Sequence, residues 1–328
     1  MPYIHLAAQI YNFFCKLANK TILFLPRNRD FICIYAFFLL LLHRKPTIKS
    51  VKIGVFDSGY GGLTILEKIR LQLPKYDYLY LGDNARAPYG TRSYELIYQY
   101  TWQAVQYLFQ QGCSLVILAC NTASAKALRS IQQNNIPMMN ARMGGVSMVN
   151  CLGVIRPTVE VVSQMTQTGH IGILGTPGTV QSGSYPIEFH KQNEDLVISQ
   201  QACPMWVPLI ESGEHLSDGA DYFVKKYLND LLAQDDRIDT IVLGCTHYPL
   251  LMPKIKKELA STGIRVVAQG DLVAAKLDDY LHRHGEINGS LSRGGTCTYF
   301  TTEAADKFRE NATLFLRQNI QAEHIDLK

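Results

Sequence analysis

Two cysteines stand in matching surroundings. Cys120 ends the apolar run SLVILAC (114 to 120) and is followed by NTASAK, while Cys245 ends TIVLGC (240 to 245) and is followed by THYPLL. Each is expected at the carboxyl end of a buried strand, just before a helix. Asn121 or Thr122 is a natural N-cap for the first helix and Thr246 for the second, with Pro249 near its first turn. A helix N-terminus stabilises a thiolate, so each thiol is expected to shift from about 8.5 toward neutrality. The same amides would receive a carboxylate.

His247, two residues after Cys245, leaves several chemistries open. One intervening residue is not a standard zinc spacing, and no second ligand pair stands nearby, so no metal is expected. A Cys-His hydrolase needs one nucleophile and one base, which leaves Cys120 without a task. Two thiols facing each other across a cleft suit a different task. One removes a proton from one face of a carbon and the other returns a proton to the opposite face, the roles exchanging with direction. The remaining cysteines of the body, Cys113, Cys151, Cys203 and Cys297, are read as buried packing, the commoner fate of a cysteine at the end of an apolar run.

The stretch DSGYGG (57 to 62) supplies further polar parts at a strand end. Asp57 and Ser58 precede Gly59, Gly61 and Gly62, where backbone can approach closely. It is neither a Walker A loop, which ends in Gly-Lys-Ser/Thr, nor a G-x-G-x-x-G fingerprint. An Asp beside a Ser at a cleft could orient an ammonium group or assist a thiol.

The elements that must hold these residues are strands alternating with helices. KIGVF (52 to 56), YLYLGD (78 to 83), SLVILAC, HIGILG (170 to 175) and TIVLGC are short apolar runs, and LTILEKIRLQL (63 to 73) has helical spacing. Continuous apolar strands of this kind suit a parallel sheet covered on both faces. The chain also repeats itself: IGVFDSGYGG (53 to 62) resembles IGILGTPGTV (171 to 180), and LVILACNTAS (115 to 124) resembles TIVLGCTHYP (240 to 249), at nearly the same separation. The expected fold class is therefore α/β, with two related domains of mainly parallel sheets flanked by helices and a site in the cleft between them. Ligands in such sheets bind beyond the carboxyl ends of the strands, where all four repeated motifs end. The expected boundaries are 51–150 plus 260–328 for the first domain and 151–259 for the second.

Length and composition agree with this reading. A chain of 328 residues with 47% hydrophobic and 18% charged residues buries a full core. The net charge of +4 is misleading, because residues 1–50 hold seven Lys or Arg against one acid and carry +6, leaving −2 on residues 51–328. A mildly acidic body gives no case for nucleic acid as a partner. Eight cysteines without a C-x-x-C pair fit a reducing cytoplasm. Within residues 1–50, FICIYAFFLLLL (31 to 42) is too short to span a bilayer as a helix. It has the length of a signal core, but about thirty residues precede it and no small-x-small site follows. Two expectations stand for this hydrophobic, basic extension: a segment outside the fold, upstream of the natural start, or a membrane-surface tether.

In order along the chain, DSGYGGL, GDNARAPYG (82 to 90), ACNTASA (119 to 125) and GCTHYPLL (244 to 251) resemble the glutamate racemases of the cofactor-independent aspartate/glutamate racemase superfamily. GTPGTVQSGSY (175 to 185) and CPMWVPLIESGE (203 to 214) match the pattern too, and the resemblance covers about residues 52–320. It implies interconversion of L- and D-glutamate by two thiols with no cofactor, supplying D-glutamate for peptidoglycan. Carried over, Cys120 and Cys245 are the two acid/base thiols, Cys245 acting on L-glutamate and Cys120 on D-glutamate. Asp57 and His247 assist them, and Glu211 stands where some members have a further carboxylate. Substrate contacts are implied for Asp57, Ser58, Tyr89, Gly90, Asn121, Thr122, Thr246 and His247, with Thr176 and Thr179 as additional candidates. A homodimer stays open as an expectation. The segment IPMMNARMGGVSMVNCLGVIRPT (136 to 158) departs from the family pattern by extra residues, which affects the hinge.

Other readings remain at this stage. An aspartate racemase would share the fold, and a binding protein that kept the fold without catalysis, or a Cys-His hydrolase, would belong to other classes.

Overall fold

The computed structural model describes residues 51–142 and 148–327, all within one compact unit, Ser50–Lys328. The expectations for residues 1–50 lie outside the described residues. Among the described residues, ten strands form two parallel sheets. The first contains β1 (Lys52–Asp57), β2 (Tyr78–Gly82), β3 (Cys113–Leu118), β4 (Asn150–Gly153), β9 (Cys297–Thr301) and β10 (Ala322–His324) in the order β10-β9-β2-β1-β3-β4. The second contains β5 (His170–Gly175), β6 (Val197–Ala202), β7 (Thr240–Gly244) and β8 (Arg265–Val267) in the order β6-β5-β7-β8. The sub-order β2-β1-β3-β4 is the same as β6-β5-β7-β8, so the repetition in sequence is a repetition of topology. β1 corresponds to β5 and β3 to β7, which puts Cys120 and Cys245 after equivalent strands.

The strands form where the sequence is apolar on both alternating faces. Every residue of β2, β3, β5 and β7 is buried, as covered parallel strands require. Helices cover them: Gly62–Gln72 turns Leu63, Ile65, Leu66 and Ile69 inward, each worth about 1.5–3 kcal/mol of burial. The helix Tyr94–Gln110 buries Ile97, Thr101, Ala104, Val105 and Leu108 along one stripe, and Ser93 caps it by accepting from the Leu96 amide at 3.4 Å. The strands not anticipated are short or half-exposed: β8 and β10 have three residues each, and β6 is an edge strand whose residues are intermediate or exposed.

Sheet boundaries differ slightly from expectation. β4 runs to Gly153, beyond 150, and β8 begins at Arg265, beyond 259, so each sheet extends a few residues past the expected limit. After β8 the chain returns to the first sheet through the helix Gly270–Arg283, which packs on Gly62–Gln72 so tightly that a Cβ at Gly270 would lie 2.7 Å from Lys68 Cγ. Just before the segment with extra residues, a π-helical turn at Ile131–Asn135 leads into the helix Ile136–Arg142. The Asn140 side chain bonds both the amide and the carbonyl of Val149, at 2.8 and 3.0 Å, and so clips the two described ends of the segment together.

Candidate active site

A cavity of about 100 Å³ lies at the carboxyl ends of both sheets, and both thiols line it. Asp57, Ser58, Gly59, Tyr89, Gly90, Asn121, Thr122, Thr176, Glu211, Thr246 and His247 are in its wall as well. Of the expected site residues only Thr179 is absent from that wall. It stands behind Thr176, bonded through hydroxyls to Thr176 at 3.1 Å and to Thr122 at 3.4 Å.

On the first-sheet side, Cys120 is itself the N-cap of the helix Asn121–Lys126, its Sγ accepting from the Ala123 amide at 3.4 Å. The cap was expected at Asn121 or Thr122, one or two residues later. Ser58 Oγ lies 3.3 Å from the same sulfur. The expected fall of this thiol toward neutrality does not occur. Burial, then the negative charge of Asp57, push Cys120 up to about 12, and the Ser58 hydroxyl and Ala123 amide only partly offset them. Asp57 is buried, its Oδ2 accepting from the Gly59 amide at 2.9 Å. Burial raises its own carboxyl too, against the opposing pull of His247 and the Gly62 and Gly59 amides. Gly62 has no room for a side chain, since a Cβ there would sit 2.4 Å from Asp57 Cβ.

The second-sheet side is built differently. No helix begins directly after Cys245. The chain makes a 3-10 turn at Tyr248–Leu251 with His247 at its cap position, and the helix Met252–Glu258 follows. Thr246 is therefore not a cap, and its carbonyl accepts from Thr64 Oγ1 at 3.0 Å. Pro253 explains the delay, because a helix running on from Thr246 would need the missing Pro253 amide to bond the Pro249 carbonyl, whereas in the first turn of Met252–Glu258 that amide is not needed. His247 Nδ1 lies 3.8 Å from Cys245 Sγ, and Nε2 lies 2.9 Å from Glu211 Oε1. Burial alone would lower this imidazole, but the bonds and charges of Cys245 and Glu211 prevail and push it up to about 10. The Phe315 ring stands edge-on to it at 5.4 Å, and a Cβ at Gly61 would lie 2.4 Å from Nδ1, so both its position and the glycine opposite are fixed by space.

The wall between the two sides comes from the loop around Tyr89 and Gly90. Tyr89 is buried, and its hydroxyl donates to Asp83, which also accepts from Arg86 Nε and from Thr302 Oγ1. Burial followed by the Asp83 charge raises the Tyr89 phenol, so it stays protonated. The Gly90 carbonyl accepts from the Gly178 amide at 2.8 Å, which joins this loop to the turn after β5. Thr176, at the cap of that turn, bonds to Thr122 at 2.9 Å. Asn121 has its carboxamide committed elsewhere, to Gln269 and Tyr185.

These motifs and this fold recur in known proteins. A family model described as Asp/Glu/Hydantoin racemase matches residues 53–277. The chain belongs to that family. Glutamate racemases from Ruegeria sp. (strain TM1040) and Bacillus cereus (strain ATCC 10987 / NRS 248) are 38% and 37% identical to it, over 83% and 84% of this chain and 98% and 97% of theirs. Among solved structures, the glutamate racemase isoform RacE1 of Bacillus anthracis matches with TM-score 0.74 and 34% identity, over 85% of this chain and 98% of that one. The Francisella tularensis subsp. tularensis SCHU S4 glutamate racemase, solved with D-glutamate, matches with TM-score 0.72 and 30% identity over the same shares. The chain is accordingly an amino-acid racemase.

Within this racemase, Cys203 is the residue that sequence reasoning placed least well. It is buried, as expected, yet it also lines the cavity, together with Pro204, Val207 and Pro208. Its position in CPMWVPLIESGE, the segment that also carries Glu211, was the available signal. Among the described residues, no group of three or more His, Cys, Asp or Glu side chains is arranged to hold a metal, and no helix is long and apolar enough to cross a membrane.

Proposed function

We propose that this racemase interconverts L- and D-glutamate by two-thiol proton transfer, with two domains around the substrate, close to residues 51–150 plus 260–328 and 151–259 but shifted so that β4 stays with the first and β8 with the second. The observation that carries the reading is the presence of Cys120 and Cys245 in one small cavity, each just beyond the end of an equivalent strand. In the L-to-D direction the Cys245 thiolate takes the α-proton, and the electron pair left on Cα is delocalised into the α-carboxyl group. The Cys120 thiol then donates its proton to the opposite face. Cys245 ends as a thiol and Cys120 as a thiolate, and the D-to-L direction runs the same steps in reverse. His247 supports the anionic state of Cys245, and Asp57 and Ser58 stand beside Cys120.

A carbon acid this weak needs more than two positioned sulfurs. Preorganised donors around the carboxyl group must stabilise the developing charge, and the backbone amides of Asn121 and Thr122 in the first turn after Cys120, with the hydroxyls of Ser58 and Thr246, are the candidates in the wall. The substrate assignment rests on the glutamate racemases among the relatives, and the product is read as D-glutamate for peptidoglycan, made in the cytoplasm.

The test is racemisation in deuterium oxide with L-glutamate and L-aspartate assayed side by side. Two-thiol chemistry predicts deuterium at the α-carbon of the D-product and turnover of glutamate. Turnover of aspartate alone would sink the substrate assignment, and product carrying only the original α-hydrogen would sink the mechanism.

A further inference from the structure

A closed ring of hydrogen bonds joins the two halves behind the cavity. Asn121 Nδ2 donates to Gln269 Oε1 at 2.6 Å, Gln269 Nε2 donates to the Tyr185 hydroxyl at 2.9 Å, and that hydroxyl donates to Asn121 Oδ1 at 2.8 Å. Every member of the ring is both donor and acceptor, so each bond polarises the next. All three side chains are buried, and the three residues come from distant parts of the chain. Gln269 Nε2 reaches two further acceptors, Thr158 Oγ1 at 2.9 Å and the Val154 carbonyl at 3.3 Å, which tie the ring to the helix Ile155–Val162.

The position of Gln269 gives the ring its meaning. It is the last residue before the helix Gly270–Arg283, where the chain leaves the second sheet and returns to the first. It occupies the cap position of that helix but makes no side-chain capping bond, its carboxamide being spent on the ring instead. Asn121 directly follows Cys120. Tyr185 packs against the residue before Cys245, so closely that a Cβ on Gly244 would lie 3.2 Å from Tyr185 Cε2. The ring thus reaches one residue past one thiol and one residue before the other.

We propose that Gln269 is a positioning residue for the racemase reaction: through Asn121 and Tyr185 it fixes the separation of the two sulfurs on opposite faces of the α-carbon. This rests on the two-thiol reading above. Proton transfer is steeply sensitive to donor–acceptor placement, and a displacement of about 1 Å can cost about 100-fold in rate. An apolar side chain at this place would also strand the buried donors and acceptors of Asn121 and Tyr185.

The test compares Gln269→Leu and the nearly isosteric Tyr185→Phe, which removes one hydroxyl of the ring, with the parent enzyme. Racemisation of ordinary and α-deuterated glutamate gives kcat and the primary isotope effect, and the double variant closes a cycle. Expected are a fall in kcat of about 10- to 100-fold for Gln269→Leu, a smaller fall for Tyr185→Phe, and a larger isotope effect in both. The double variant should lose little more than Gln269→Leu alone, as members of one unit do. A merely structural role lowers the folded fraction and leaves the isotope effect of the surviving molecules unchanged. An unchanged isotope effect in Tyr185→Phe, or a kcat within twofold of the parent in Gln269→Leu, would overturn the proposal. The underlying two-thiol reading fails separately, if the parent enzyme itself puts no solvent deuterium into its product.

Discussion

Cys120 and Cys245 occupy equivalent places in two copies of one topology and sit in opposite electrostatic settings. Cys120 faces a carboxylate and a hydroxyl, Asp57 and Ser58, and keeps its proton because both burial and the neighbouring charge resist the thiolate. Cys245 faces His247, whose imidazole is pushed up, against burial, by Cys245 itself and then by Glu211 on its far side. Burial and a carboxylate resist the thiolate on one side, while an imidazole with a raised pKa stands beside the sulfur on the other. The repeated topology brings two strand ends to one cavity, and the residues around them differ. Under the two-thiol proposal one thiol must begin a turnover as acid and the other as base, and the contrast matches the start of the L-to-D direction.

The harshest way to break the comparison is to remove one partner. Cys120→Ala and Cys245→Ala should each lower racemisation by on the order of 10⁴-fold, because neither half can both take and return the proton. Rates measured from each enantiomer by polarimetry check this. Near-parental racemisation in either variant would mean that the matched strand ends are a relic of duplication and not a working pair.

A gentler change should sharpen it. Asp57→Asn is expected to reduce kcat by about 10²- to 10³-fold, the range for loss of a positioned acid–base group. It also removes one of the three causes that hold Cys120 high, the others being burial and Cys245, so the Cys120 thiol should titrate at lower pH in the variant than in the parent. Alkylation rate against pH, followed at the Cys120 peptide by mass spectrometry, measures the shift. Unaltered titration would show that burial and Cys245 set the Cys120 side without Asp57.

The sequence carried the frame of this contrast but not its sign. The apolar runs that became β1, β2, β3, β5 and β7 were legible because both faces of each strand are covered, which leaves an uninterrupted apolar signature. The strands β8 and β10, at three residues each, are too short to write one. Both thiols and the residues beside them were legible as motifs. Their protonation was not, because the rule that a helix N-terminus favours a thiolate omits desolvation, which dominates at Cys120. The helix expected after Cys245 also begins later, since Pro253 would interrupt a helix started at Thr246 and stands instead in the first turn of Met252–Glu258. Gln269 could not have been found from its neighbours in sequence, as its partners lie 148 and 84 positions away.

The smallest expected effect tests the Cys245 side. Glu211→Gln keeps the shape and removes the charge, and Glu211 is partly exposed, so screening limits the loss in kcat at neutral pH to about tenfold or less. The pH dependence should respond more clearly. His247 titrates at about 10 in the folded protein, above the 6.5 of an unperturbed imidazole, because negative neighbours favour its charged form. Its contribution to stability is therefore fully present below about 6.5 and is lost as pH rises through about 10. Removing the Glu211 charge lowers the His247 value, so both the alkaline limb of the rate profile and the alkaline loss of stability should move to lower pH. Denaturant unfolding between pH 7 and 10.5, beside a kcat profile over the same range, tests both shifts at once. If neither limb moved, His247 would owe its proton to Cys245 alone, and Glu211 would be only part of the cavity wall.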